Sequence, residues 1–170
     1  MTIGELLTKY GSDKDKEHSY GPVYNAFFEP IQNSVTAILE VGIRDGCSLR
    51  AWQEYFPNAR VVGIDNHSDL LNEGRIESFR ADSTNLCEVD NVLKDSTFDI
   101  IIDDGCHWYK EQTDTWRNLY HRVRPGGLYI IEDLQEDGAL GGFEELGAII
   151  HNRRTVKCRA DDVLAVFHKT

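Results

Sequence analysis

An α/β fold around a mostly parallel sheet is predicted by three features of this 170-residue sequence. Short apolar runs alternate with segments whose apolar residues recur at helical spacing. Glycine, proline or aspartate punctuates most of the junctions between them. Four of the apolar runs end in acidic residues, at Asp65, Asp82, Asp103/Asp104 and Glu132/Asp133. In open α/β sheets a ligand sits outside the carboxyl ends of the strands, so this order predicts an acidic, functional sheet edge.

The elements follow in chain order. Ile3, Leu6, Leu7 and Tyr10 have helical spacing and Gly11 stops that helix; the polar stretch from Gly11 to Tyr20 reads as a loop. Val23, Tyr24, Phe27 and Phe28 mark a second short helix closed by Pro30. Ala37 to Val41 is the first strand, and Leu49, Trp52 and Phe56 form the next helix face. Val61 to Ile64 and Ile76 to Phe79 are strands. Leu86, Val89 and Leu93 give a helix face with Ser83 or Thr84 as its N-cap. Phe98 to Ile102 is a buried strand, Trp108 to Val123 a helix broken by Arg124-Pro125-Gly126-Gly127, and Leu128 to Ile131 a strand. A glycine-bearing loop over Gln135 to Gly142, readable as a lid or as a plain connection, precedes a helix over Phe143 to Asn152. Val156 to Cys158 and Val163 to Phe167 are expected to close the fold as a hairpin around Ala160-Asp161-Asp162.

The length suits one domain over residues 1–170, with residues 1–36 as an N-terminal helical cap segment. With 41% hydrophobic and 10% aromatic residues the chain has the composition of a packed globule. The 29 acidic residues against 18 basic ones, a net charge of −11, disfavour nucleic acid and anionic membranes as partners and suit a cationic ligand or a metal ion. Met1 to Lys16 carries no long apolar core, and no run approaches a membrane span, so a cytoplasmic location is expected. Cys47, Cys87, Cys106 and Cys158 form no C-x-x-C pair and read as free thiols.

The first strand-to-helix turn, Glu40-Val41-Gly42-Ile43-Arg44-Asp45-Gly46-Cys47-Ser48, lacks the G-x-G-x-x-G of a pyrophosphate cradle. Gly42 and Gly46 still admit a close ligand, and Asp65 at the next strand end suits the two hydroxyls of a ribose. A nucleoside without phosphates is indicated, and S-adenosylmethionine, with sulfonium and ammonium charges, fits an acidic pocket. Asp82 either reaches the adenine or, with Ser83, only caps the next helix. Asp104, Glu132 and Asp133 stand at neighbouring strand ends; carboxylates converging there call for a hard divalent ion, most simply Mg²⁺. His107, in the turn after Asp104, is the candidate general base. His121, His151 and His168 have no such neighbours. Trp108 and Tyr109 read either as a platform for a sugar ring or as helix-packing aromatics.

Six stretches carry a family resemblance: Gly11-Ser12-Asp13-Lys14 with His18 and Tyr20, the loop from Glu40 to Ser48, Tyr55-Phe56-Pro57-Asn58-Ala59, Gly63-Ile64-Asp65, Phe98 to His107, and Arg124 to Asp133. Together they resemble the metal-dependent sugar O-methyltransferases of the macrocin and mycinamicin type. That resemblance implies a Rossmann-like class I methyltransferase fold: a mostly parallel seven-stranded sheet with a C-terminal antiparallel hairpin. It implies Mg²⁺ on Asp104, Glu132 and Asp133, His107 as the base, and the methyl donor along Glu40, Gly42, Asp65 and Asp82; Gly46, Ser48 and Asp103 join them as further donor-side candidates. The segment from Lys14 to Tyr20 matches a part that closes near donor and acceptor. A glycosylated small molecule is the implied acceptor, and many family members are homo-oligomers. Cys106 stands where the family usually has Ser. Rival readings keep the cofactor and change the acceptor to a polysaccharide or a catechol, or make the chain a non-catalytic S-adenosylmethionine-binding module; the last would need neither His107 nor the metal carboxylates.

Overall fold

The computed structural model describes residues 1–135 and 137–170. Its strands are β1 (Ala37–Val41), β2 (Arg60–Asp65), β3 (Ile76–Arg80), β4 (Phe98–Asp103), β5 (Val123–Ile131), β6 (Ile149–Asn152) and β7 (Val163–His168). Among the described residues they form one seven-stranded sheet in the order β3-β2-β1-β4-β5-β7-β6. The run from β3 to β5 is parallel, and β7 is antiparallel to both β5 and β6. This is the expected mostly parallel sheet with an antiparallel C-terminal pair.

Both faces of the sheet are covered, so its central strands are mostly apolar rather than alternating, with Glu40 in β1 and Asp99 in β4 as exceptions. Along β1 and β4 successive residues face opposite ways: Ile38, Ile100 and Ile102 enter one core cluster, Leu39 and Ile101 the other. The first cluster lies under α1 (Ile3–Tyr10), α3 (Gly21–Phe28) and α4 (Cys47–Tyr55), with Leu7, Tyr24, Phe28, Trp52 and Phe56 as its large members. The second lies under α5 (Leu86–Leu93), α6 (Tyr109–Leu119) and α7 (Asp137–Glu145), through Val89, Leu93, Leu119 and Phe143. Residues 1–36 are therefore structural cover for one face of the sheet as well as an approach to its edge. α1 is fixed by a capping box between Thr2 and Glu5 and ended by Gly11 at φ 81°.

Strand order reverses between β1 and β4, which makes their carboxyl ends the switch point of the sheet. Register pairs Val41 with Asp103 there, and the Asp104 N–H donates to the Val41 carbonyl at 2.9 Å. A Cβ at Gly42 would stand 2.1 Å from the Asp104 carbonyl oxygen, and φ is +89°, so only glycine permits this abutment. On the other side Asp103 pairs with Ile131, which sets Glu132 and Asp133 beside Asp104.

Several expected boundaries change. The stretch expected as a loop after Gly11 contains α2 (Asp13–Lys16), because the Ser12 side chain caps it at the Lys14 N–H. The N-cap of α5 is Asn85, not Ser83 or Thr84, since Asp82 already holds Thr84 in a turn. The helix expected over Trp108 to Val123 is α6 followed by a 3₁₀ turn, Tyr120–Arg122. β5 begins at Val123, with a register shift opposite Phe98/Ile100 absorbing the glycine pair. The helix expected over Phe143 to Asn152 is wrong: α7 ends at Glu145, Gly147 turns the chain at φ +98°, and β6 follows. Asp137 to Gly142, expected as loop, is the first part of α7; Glu136 lies outside the described residues. The expected strand Val156 to Cys158 is instead the end of the helical turn α8 (Arg154–Lys157) and the left-handed Cys158, so the partner of β7 is β6.

Candidate active site

A cavity of about 520 Å³ runs along the carboxyl ends of the parallel strands. Asp65 and Asp82 line one end, and Asp104, His107 and Asp133 line the other. At the first end, Asp65 Oδ2 accepts from the Ile43 and Arg44 amides at 2.7 and 3.4 Å, and Oδ1 from the His67 and Ser68 amides at 2.7 Å each. Burial works against the charge, but the amides of Ser68, His67 and Ile43 outweigh it and hold the carboxyl down at about 2. Asp65 thus clamps the glycine loop to β2 while facing the cavity. Asp82 Oδ1 accepts from the amide and hydroxyl of Thr84 at 2.9 and 2.7 Å and also faces the cavity.

Other residues expected on the donor side point elsewhere. Glu40 is 1% exposed and turns inward, accepting from Ser48 Oγ at 2.8 Å and Trp52 Nε1 at 2.9 Å. Burial raises its pKa, against the charge of Lys14. Ser48 is thereby committed to Glu40, although it borders a smaller cavity of about 180 Å³. Gly46 is the left-handed N-cap of α4, packed against Leu71. Asp103 is buried behind the edge, beneath Tyr129 Oη at 3.3 Å; burial pushes its carboxyl up to about 7, and the charge of Asp104 adds to this. Gly42 borders both cavities.

At the second end two basic side chains, His107 and Lys14, enter the carboxylate group. His107 Nε2 lies 3.4 Å from Asp104 Oδ1 and His107 Nδ1 lies 3.6 Å from Asp133 Oδ2. The hydrogen bond to Asp104 raises the imidazole above its ordinary pKa, burial opposes this, and Asp133 supports it. Lys14 reaches the same cluster from α2: its ammonium lies 2.5 Å from Asp104 Oδ2, 2.6 Å from Glu132 Oε2 and 3.2 Å from Glu40 Oε1. Tyr24 donates to Glu132 Oε1 and Tyr20 donates to Asp133 Oδ1. Asp133 itself adopts φ +56°, and its Oδ1 lies 3.4 Å from His18 Nδ1.

The three carboxylates expected as metal ligands are thus neighbours but not equivalent. Asp104, His107 and Asp133 each offer an atom within 4.8 Å of the others at the cavity wall, and the two carboxylates of that set suit a hard divalent ion. Glu132 uses its two oxygens on Lys14 and Tyr24. Tyr24 was not legible as a site residue, because it sits in a helical apolar face; Lys14 was brought near donor and acceptor by the family resemblance alone, with no role attached. Of the two aromatics after His107, Trp108 is 61% exposed, whereas Tyr109 packs edge-on against Phe143.

Residues 39–129 match the family described as a methyltransferase domain. The chain is 34% identical to the 8-demethyl-8-(2-methoxy-alpha-L-rhamnosyl)-tetracenomycin-C 3'-O-methyltransferase of Streptomyces olivaceus, over 78% of this chain and 36% of that protein. It is 32% identical to the mycinamicin VI 2''-O-methyltransferase of Micromonospora griseorubida, again over 78% of this chain and 36% of the relative. It therefore spans little more than a third of the length of these curated relatives. Its fold superposes with a TM-score of 0.83 on the MycE methyltransferase from the mycinamycin pathway in complex with Mg and SAH, at 25% identity, covering 99% of this chain and 55% of that one.

Proposed function

The chain belongs to the methyltransferase-domain family, and on that premise we propose that it is an S-adenosylmethionine-dependent O-methyltransferase acting with Mg²⁺ on a sugar hydroxyl of a glycosylated small molecule. The observation that carries this reading is the single cavity joining Asp65 and Asp82 to Asp104, His107 and Asp133. It has a nucleoside-binding end and a cation-binding end within reach of one ligand. The curated relatives are named as O-methyltransferases of a rhamnosyl tetracenomycin and of mycinamicin VI, which supports the acceptor class.

Under this reading Asp65 and Asp82 receive the nucleoside of the donor, and the bend at Gly42 leaves the middle of the cavity open. Glu40, Gly46, Ser48 and Asp103 shape the donor end from behind, through the α4 N-terminus and the β4 edge. Asp104 and Asp133 hold the divalent ion, with Glu132 as a ligand once freed from Lys14. When bound there, Mg²⁺ supplies Lewis acidity that lowers the pKa of an acceptor hydroxyl. His107 lies beside both carboxylates and takes the hydroxyl proton, a contribution of about 10²–10⁴-fold. The acceptor oxygen bonds to the methyl carbon as the carbon–sulfur bond of the donor breaks, and the proton stays on His107. Residues 1–170 act as one methyltransferase domain, with residues 1–36 closing over its edge. No helix among the described residues is long and apolar enough to cross a membrane. We place the protein in the cytoplasm on its free cysteines.

A soak with S-adenosylhomocysteine and Mg²⁺ tests the reading. Expected is nucleoside density at Asp65 and Asp82 and an ion between Asp104 and Asp133; a nucleoside seated outside this cavity overturns it. Turnover is then sought on a panel of glycosylated small molecules, and undiminished turnover in excess EDTA would remove the metal from the mechanism.

A further inference from the structure

Lys14 is 1% exposed, and its ammonium contacts three carboxylates from three strands: Glu40 of β1, Asp104 after β4 and Glu132 after β5. A buried lysine is costly unless paired, and the three N–H donors of this one face three acids at once. Its position is built from several sides. Ser12 caps α2, and the Asp13 carboxylate pairs with Arg44 of the glycine loop. The Asp15 carboxylate accepts from the Gly21 amide at 3.2 Å, in a gap where a Cβ on Gly21 would lie 2.3 Å from its oxygen. Lys157 donates to the carbonyls of Asp15 and Lys16. The short helix is thus fixed at both ends and aims one side chain inward.

The two acids nearest Lys14 are also two of the three acids assigned above to the divalent ion. Asp104 divides its oxygens, Oδ2 to Lys14 and Oδ1 toward His107 and the cavity. Glu132 does not divide them: Oε2 meets Lys14 and Oε1 meets Tyr24. A cation entering between Asp104 and Asp133 therefore meets one carboxylate already half-neutralised and another held out of reach. We infer that Lys14 is a positioning residue, an internal cation that competes with the divalent ion for Asp104 and Glu132 and links that contest to Glu40 behind the glycine loop. This rests on the reading that Asp104 and Asp133 hold the ion. Through Glu40, which also accepts from Ser48 and Trp52 of α4, a shift of Lys14 is transmitted to the start of the helix that follows the glycine loop.

Calorimetric titration of Mg²⁺ into the full chain and into a Lys14→Met variant at pH 8 tests the inference. Removing a charge this close and releasing Glu132 is expected to lower the Mg²⁺ dissociation constant by about tenfold or more. An unchanged or weaker affinity in a folded Lys14→Met protein overturns the competition. Should the variant not fold, the wild-type protein carries the test by nuclear magnetic resonance of lysine side-chain Nζ. The Lys14 signal is expected to move on saturation with Mg²⁺, and a signal unmoved by saturating Mg²⁺ overturns the inference. Wild-type protein that binds no Mg²⁺ at all refutes the metal reading itself, and the inference falls with it. A Lys14 of purely structural importance would alter the melting temperature and leave both readouts unchanged.

Discussion

Asp65 holds four backbone amides with one carboxylate, and its consequence for stability has a definite sign. Its pKa in the folded chain, about 2, lies below the ordinary 3.8, so the ionised form is favoured by folding. That stability is fully present above the unfolded pKa and is lost as pH falls from about 4 toward 2. An Asp65→Asn protein is expected to melt lower than wild type at pH 7, with the gap closing in melts taken progressively nearer pH 2. A gap independent of pH would mean that the amides respond to shape and not charge. At His107 the expectation is kinetic. His107→Ala should keep the fold and bind S-adenosylhomocysteine normally, while turnover falls about 10²-fold or more, because the proposed base is lost and the proposed donor end is untouched. Wild-type turnover would assign the proton elsewhere. The acids of this site were legible in sequence because each stands at or within a few residues of the end of an apolar run, and a strand end has a known place in the fold. The ion pairs of Lys14 were not, since the resemblance gave only its neighbourhood and its partners lie 90 and 118 residues away.

At the scale of elements, the β1–α4 turn depends on a contact that no side chain makes. Gly42→Ala would set a Cβ 2.1 Å from the Asp104 carbonyl and force an L-residue to φ +89°. The loss expected is about 3 kcal/mol or more in chemical denaturation, with weakened donor binding in whatever folds. Stability within about 0.5 kcal/mol of wild type would show that the two turns separate freely. The glycine pattern suggested room for a ligand; the structure fills that room partly with its own backbone. The C-terminal elements show why periodicity has limits. Phe143, Leu146 and Ile150 satisfy a helical face, yet Gly147 breaks it and Ile149 to Asn152 pair with β7. A short apolar stretch is compatible with both elements, and the choice is made by the neighbouring strand, which sequence spacing does not contain. The sheet interior posed no such ambiguity: Phe98 to Ile102 is apolar at all but one position, bounded by turns and too short for a helix.

For the whole molecule, the N-terminal helices and the sheet share one core. Phe28, Tyr24 and Leu7 are fully buried in the cluster that also holds Ile100 and Ile130. A chain lacking residues 1–36 is expected to lose cooperative melting and to bind a hydrophobic dye, because one sheet face would be stripped; a truncated protein with a sharp, dye-free transition would show that face to be self-sufficient. The net charge of −11 was legible at once, and its placement is now specific. Carboxylates at the ends of the parallel strands gather at one edge, where the Lys14 ammonium offsets part of them.

The closure of that edge also bears on the order in which the chain assembles. Ser19 bonds Asp162 across 143 residues, and Lys14 bonds Glu132 across 118. Contacts of such separation carry a large loop-closure cost and form late in folding. The hairpin-free unit from β1 to β3, with its Asp65 clamp, draws on much nearer partners. On a ribosome the Asp65 end of the cavity can therefore take shape well before the Asp104 end, whose acids stay solvated until β5 and β7 are made. Refolding followed by two probes, one at Trp52 and one near Asp162, should show the first signal leading the second.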